Sequence, residues 1–259
     1  MEVWIYGVRP VEELLRRRPQ QVRELLLARQ DQTSRRLEAW AGRHRIPARR
    51  CRPSEIEERT RSNSHQGIAA RAPLPEYLDW DGLRGRWRGL TAARLLVLDC
   101  IQDPQNLGAL LRVADGAGAL AVILPQDRSA GLSPAVLSAS AGAGEWVPVT
   151  RVVNLRRALD KLKQEGFWIV AADPGGERDY REAAYAEKTA LVIGSEGTGI
   201  RPLVLRACDL RVRIPLRGQV KSLNAAAAAG IILFEMAGQA AGAKAAAPSP
   251  SSLPSGQKN

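Results

Sequence analysis

The sequence predicts an α/β protein in two units, a small N-terminal one and a larger C-terminal one built on a mainly parallel sheet. Three observations predict it. Short apolar runs alternate with helical stretches along most of the chain. In the larger part the runs are continuously apolar and separated by helices, the pattern of strands buried on both faces and joined by crossovers. Between the two parts, Pro73, Pro75 and a Trp/Gly/Arg-rich stretch from Tyr77 to Gly89 break the periodicity.

Residues 1–72 read in order as strand Val3–Tyr6, helix Val11–Arg18, strand Val22–Ala28, helix Thr33–Gly42, strand Ile46–Cys51, helix Pro53–Arg59 and strand Gly67–Arg71. Residues 73–93 read as a linker whose Trp80 and Trp87 pack on a domain surface more readily than they stack on nucleotides. Residues 94–240 then give strand Leu95–Cys100, helix Leu107–Ala117, strand Leu120–Leu124, helix Pro134–Ala141, strand Val147–Val149 and helix Leu155–Glu165. Strands Phe167–Ala172 and Ala190–Gly194, helix Arg201–Ala207, strand Leu210–Pro215 and helix Ser222–Ala240 complete the unit. Residues 241–259, rich in Ala, Pro, Ser and Gly, lack the apolar content to bury a core and read as a disordered tail.

With 259 residues, 45% hydrophobic and 25% charged, the composition is that of an ordinary globular chain. No run approaches the 18 or so apolar residues of a membrane span, and the N-terminus lacks the basic-then-apolar order of a signal peptide, so a cytoplasmic protein is expected. Cys51, Cys100 and Cys208 are far apart, and His44 and His65 are the only histidines, so neither a disulfide framework nor a metal site is expected. The net charge of +11 is uneven. Residues 1–93 carry 19 Arg against 12 Asp/Glu, a net of +7, and the remainder carries 19 Lys/Arg against 15 Asp/Glu, a net of +4. A basic first domain is the footprint of a nucleic-acid binder, although solvated arginines account for the composition equally well.

Three loops stand out. Gly194-Ser-Glu196-Gly197-Thr-Gly199 leaves the carboxyl end of an apolar strand and precedes a helix with Pro202 in its first turn, where glycines let a ligand approach the backbone. Asp-Pro-Gln-Asn106-Leu-Gly108 follows another strand, with Asn106 at an expected helix N-cap and Arg112 six residues on, solvated, partly buried or paired with Asp115. The third, RIPLRGQVKSLNAAAAAG from Arg213, ends in a helix that Ser222 or Asn224 caps and that five alanines keep thin. By contrast Gly116-Ala-Gly118-Ala-Leu-Ala matches a dinucleotide fingerprint only on paper, because it closes a helix instead of opening one.

Together, in this order and spacing, the three segments resemble the three motifs of the SpoU family of RNA ribose 2′-O-methyltransferases, in the SPOUT superfamily. The N-terminal unit, with Tyr6-Gly7 opening it and Ser64-His65-Gln66-Gly67-Ile68 near its end, is similar to the substrate-binding domain of family members that methylate a guanosine ribose in 23S rRNA. The resemblance implies S-adenosylmethionine as methyl donor, a trefoil knot at the C-terminal end and a homodimer with composite active sites. It implies that Gly194, Ile214, Leu216 and Leu223 contact the cofactor and that Asn106, Arg112, Glu196, Ser222 and Asn224 surround methyl transfer.

The transfer is an in-line attack by a ribose 2′-oxygen, so the site must align atoms and help a hydroxyl lose its proton. A guanidinium is a poor base, so stabilising the developing alkoxide is the easier role for Arg112. The chain departs from the family at Ala225-Ala226, where Val-Ser is frequent, and in carrying Lys221 beside Ser222. Alternatives left open are a tRNA ribose methyltransferase, a resistance-type rRNA methyltransferase with another target, and a ribosome-binding factor with a decayed site. A nucleotide-dependent oxidoreductase is disfavoured by the misplaced glycine motif.

Overall fold

Two sheets organise the chain, in a computed structural model described over residues 2–220 and 222–245. The first consists of β1 (Glu2–Tyr6), β2 (Glu24–Leu27), β3 (Ala48–Arg50) and β4 (Ile68–Pro73) in the order β1-β4-β2-β3. Strand β4 is antiparallel to β1 and β2, and β3 is parallel to β2. Alternation decides which face each side chain joins. Leu25 and Leu27 of β2 pack with Leu14 and Leu15 of α1 (Val8–Arg17) and Leu37 of α2 (Gln32–Arg43), whereas Leu26 turns to Ile56 of α3 (Pro53–Thr60). Helix α2 begins where it does because the Asp31 side chain accepts the Ser34 N–H.

The expected linker contains a short helix, α4 (Trp80–Gly85), capped by Asp79, and Leu83 and Trp87 are buried against the larger domain. That domain runs through β5 (Ala93–Asp99), α5 (Pro104–Gly116), β6 (Ala121–Pro125), α6 (Pro134–Ala139), β7 (Val149–Val152), α7 (Leu155–Gln164) and β8 (Trp168–Ala172). Then follow β9 (Arg178–Asp179), β10 (Lys188–Gly194), α8 (Pro202–Leu205), β11 (Leu210–Arg213) and α9 (Ala225–Ala245). The seven strands lie in the order β7-β6-β5-β10-β8-β11-β9, with every pair parallel.

The apolar strands are buried on both faces. Leu96 and Leu98 of β5 and Leu191 and Ile193 of β10 join the core beneath α5 and α9. Their neighbours Leu95, Val97, Ala190 and Val192 join a second core beneath α7 and the Trp87 segment. From β5 the chain lays β6 and β7 to one side and the later strands to the other, so the strand order reverses between β5 and β10. Crevices at such a switch point, beyond the carboxyl ends of the strands, are where open α/β sheets bind ligands.

The structure corrects several boundaries. Strand β9, two residues long, carries too little pattern to be seen in sequence. Helix α9 starts at Ala225, three residues after the expected Ser222, and passes the expected end at Ala240. Of residues 241–259, expected as a disordered tail, 241–245 belong to α9, and 246–259 lie outside the described residues, as does Lys221. The three cysteines are free and half-buried.

The two domains are also clamped together. Leu137 of α6 belongs to the N-terminal core, and Arg18 holds the buried Glu145 carboxylate in a two-pronged ion pair at 2.8 and 2.9 Å. Trp146 donates its indole N–H to Glu13 at 2.9 Å.

Candidate active site

The three loops meet at the carboxyl ends of β5, β10 and β11. The Glu196 carboxylate joins them: Oε1 accepts the Asn106 side-chain amide at 2.9 Å and the Asn224 amide at 2.6 Å. Asn224 also donates to Asn106 Oδ1 at 2.9 Å. Its own Oδ1 accepts the Ala226 N–H at 2.9 Å, so Asn224, not Ser222, caps α9. Asn106 is not the cap of α5. Asp103 is, accepting the Gln105 N–H at 3.1 Å, which places Asn106 inside the first turn with its amide directed to Glu196.

The glycine loop after β10 is fixed from below. Asp99, fully buried at the end of β5, accepts the Arg201 backbone N–H at 2.8 Å through Oδ2, and its Oδ1 meets Nε at 2.8 Å and Nη2 at 2.7 Å. This pairing raises the affinity of Arg201 for its proton. Gly194 permits the return of the loop, since a Cβ there would stand 2.2 Å from the Gly199 carbonyl carbon. Burial, with Asp99 adjacent, pushes the Cys100 thiol up, which makes it a poor nucleophile.

A cavity of about 390 Å³ opens beside this cluster, within the range of small-molecule sites. Gly194, Ile214, Leu216 and Leu223 line it, together with Glu196 and Ser222. A second cavity shares the Ser195–Thr198 wall and is bounded by Asn106, Arg128 and Arg201.

Arg112 stands apart. It is exposed and lines neither cavity; among the described residues it has no ion pair, with Asp115 or otherwise. Helix geometry explains the separation: six residues at about 100° each turn Arg112 roughly 240° around α5 from Asn106. Sequence reasoning assigned no role to Asp99, Arg128, Arg201 or the cavity-lining Asp173, which pairs with Arg211 at 2.7 Å. A carboxylate closing the otherwise apolar strand LLVLD was the available signal for Asp99.

Residues 93–234 match the SpoU rRNA methylase family, and residues 4–78 match the RNA 2′-O ribose methyltransferase substrate-binding family. Fold, converging loops and both matches define the class as an RNA 2′-O-ribose methyltransferase. The chain is 40% identical to the 23S rRNA (guanosine-2′-O-)-methyltransferase RlmB of Pseudomonas syringae pv. tomato, covering 89% of this chain and 93% of that protein. Identity to the RlmB of Pseudomonas aeruginosa is 39%, covering 91% of this chain and 97% of that one. The SpoU methyltransferase AviRb of Streptomyces viridochromogenes, solved with AdoMet, superposes with a TM-score of 0.76 at 25% identity, covering 93% of this chain and 91% of that one. The chain belongs to the SpoU family.

Proposed function

We propose that this chain transfers the methyl group of S-adenosylmethionine to the ribose 2′-hydroxyl of a guanosine in 23S rRNA, as a cytoplasmic homodimer. The observation that carries the reading is the union of Asn106, Glu196 and Asn224 beside a cavity lined by Gly194, Ile214, Leu216 and Leu223. The cavity fits the cofactor chemically. Its apolar walls suit an adenine, and the Glu196 and Asp173 carboxylates suit hydroxyl, ammonium and sulfonium groups. When bound, S-adenosylmethionine supplies an electrophilic methyl on a sulfonium.

The chain's own residues do the rest. Glycine-loop and post-β11 backbone hold the cofactor, while Asn106 and Asn224 keep Glu196 at the shared wall of the two cavities. Ser222 sits on the rim. Arg112 stabilises the alkoxide that develops on the attacking oxygen as the hydroxyl proton passes to solvent water.

The orientation of Arg112 is what supports a dimer. It points away from its own Asn106 and lies one helical turn before Gly116, whose Cβ position stands 3.4 Å from Phe234 of α9, where Ile231 and Phe234 are exposed. A second copy covering those two side chains brings one subunit's Arg112 to the other's site. The knot belongs to the same proposal: Ile214 and Leu216 after β11, and Ser222 and Leu223 before α9, share the cavity wall with the glycine loop, and Asn224 reaches Asn106 across the ends of β8 and β10. Among the described residues no helix is long and apolar enough to cross a membrane.

The test is incubation of the purified chain with methyl-labelled S-adenosylmethionine and either 23S rRNA or tRNA. Label is expected in a 2′-O-methylguanosine of the 23S rRNA. Label in tRNA alone overturns the substrate, and label in neither overturns the activity.

A further inference from the structure

The second cavity has chemistry that the cofactor does not use. It measures about 580 Å³ and shares Ser195, Glu196, Gly197 and Thr198 with the first cavity, so a group seated in it abuts the cavity assigned above to the cofactor. Its remaining walls carry the polar side chains of Gln102, Asp103, Asn106, Arg128 and Arg201 beside Cys100 and Ile101. The two acidic groups on it have donors of their own. Glu196 accepts from Asn106 and Asn224, and Asp103 from the Gln105 N–H.

The basic groups are less satisfied. Arg201 gives Nε and Nη2 to the buried Asp99, which leaves Nη1 without a partner among the described residues. Arg128 makes no side-chain hydrogen bond or ion pair among the described residues, and it is exposed on the loop after β6. Its backbone is left-handed, with φ of 56°, a conformation costly for a non-glycine residue and concentrated at functional sites. An unanswered guanidinium on the rim of a cavity is suited to bidentate capture of a phosphate.

We propose that the second cavity seats the target nucleotide and that Arg128 holds a phosphodiester oxygen of the RNA next to the target ribose. This rests on the methyltransferase reading above. Arg128 is thereby a substrate-binding residue of the C-terminal domain, separate from the basic N-terminal domain. It fixes the register of the strand over the shared wall, while base contacts elsewhere choose the sequence.

The experiment compares the full chain with its Arg128→Ala and Arg128→Lys variants in binding 23S rRNA across a series of potassium chloride concentrations. S-adenosylmethionine affinity is measured on the same samples by calorimetry. Arg128→Ala is expected to weaken RNA binding about tenfold, the loss of one charge-assisted contact. The slope of log K against log salt should become shallower by about 0.7, one strand phosphate fewer, with cofactor affinity unchanged. Arg128→Lys keeps the charge and should keep the slope. An unchanged slope in Arg128→Ala, an equal loss in Arg128→Lys, or a parallel loss of cofactor affinity overturns the proposal. Because binding is read without turnover, a native chain that transfers no label refutes the methyltransferase reading while the salt slope still decides the role of Arg128.

Discussion

At the residue scale, the site depends on polar groups that satisfy one another across long sequence distances. Asn106, Glu196 and Asn224 come from three different loops, and each asparagine amide finds Glu196 Oε1. Among the described residues Arg112 makes no comparable contact, so its removal leaves the packing of its neighbours intact. Replacing Arg112 with alanine should therefore lower kcat by about 100- to 1,000-fold, the usual cost of losing one donor to a developing oxyanion. Cofactor affinity, measured by calorimetry, and thermal stability should stay unchanged. Undiminished turnover would remove Arg112 from the mechanism. The half-buried Cys208, pushed up to about 12 chiefly by burial, takes no part in such chemistry.

At the element scale, close approach between α5 and α6 sets the position of Asn106. A Cβ on Gly108 would stand 2.4 Å from the Ala139 Cβ and 2.9 Å from Ala139 backbone, so the helices meet at a glycine that no side chain can replace in place. Two effects oppose each other in Gly108→Ala. Helix propensity gains about 1 kcal/mol, and overpacking costs about 1–3 kcal/mol. With backbone as the obstacle, overpacking wins: Gly108→Ala should lower the melting temperature and, by displacing Asn106, reduce turnover. Gly42→Ala in α2 provides the control, for it meets nothing within 4 Å and should raise stability by about 0.5–1 kcal/mol. Calorimetric unfolding of both variants decides the matter; equal shifts of one sign would show that packing at Gly108 is not the controlling term.

At the scale of the whole molecule, two domains clamped by Arg18 and Glu145 present one basic N-terminal unit and one parallel sheet with its site at the switch point. If the exposed Ile231 and Phe234 stripe is covered by a second copy, the chain should sediment at twice its 28.2 kDa mass. Ile231→Glu with Phe234→Glu should give folded monomers that bind cofactor yet transfer no methyl; active monomers would exclude a composite site. The sequence by itself determined the α/β class, the parallel sheet and the three loops, because continuous apolar runs and glycine-rich strand ends are local patterns. It also marked Asn106, Glu196 and Asn224, through the family spacing of their motifs. Only the tertiary structure decided that one carboxylate joins both asparagines and that Asp99 anchors the glycine loop through Arg201. It alone set Arg128 on a second cavity. These are contacts between residues up to 118 positions apart, and the strand order that brings them together is written in no local pattern.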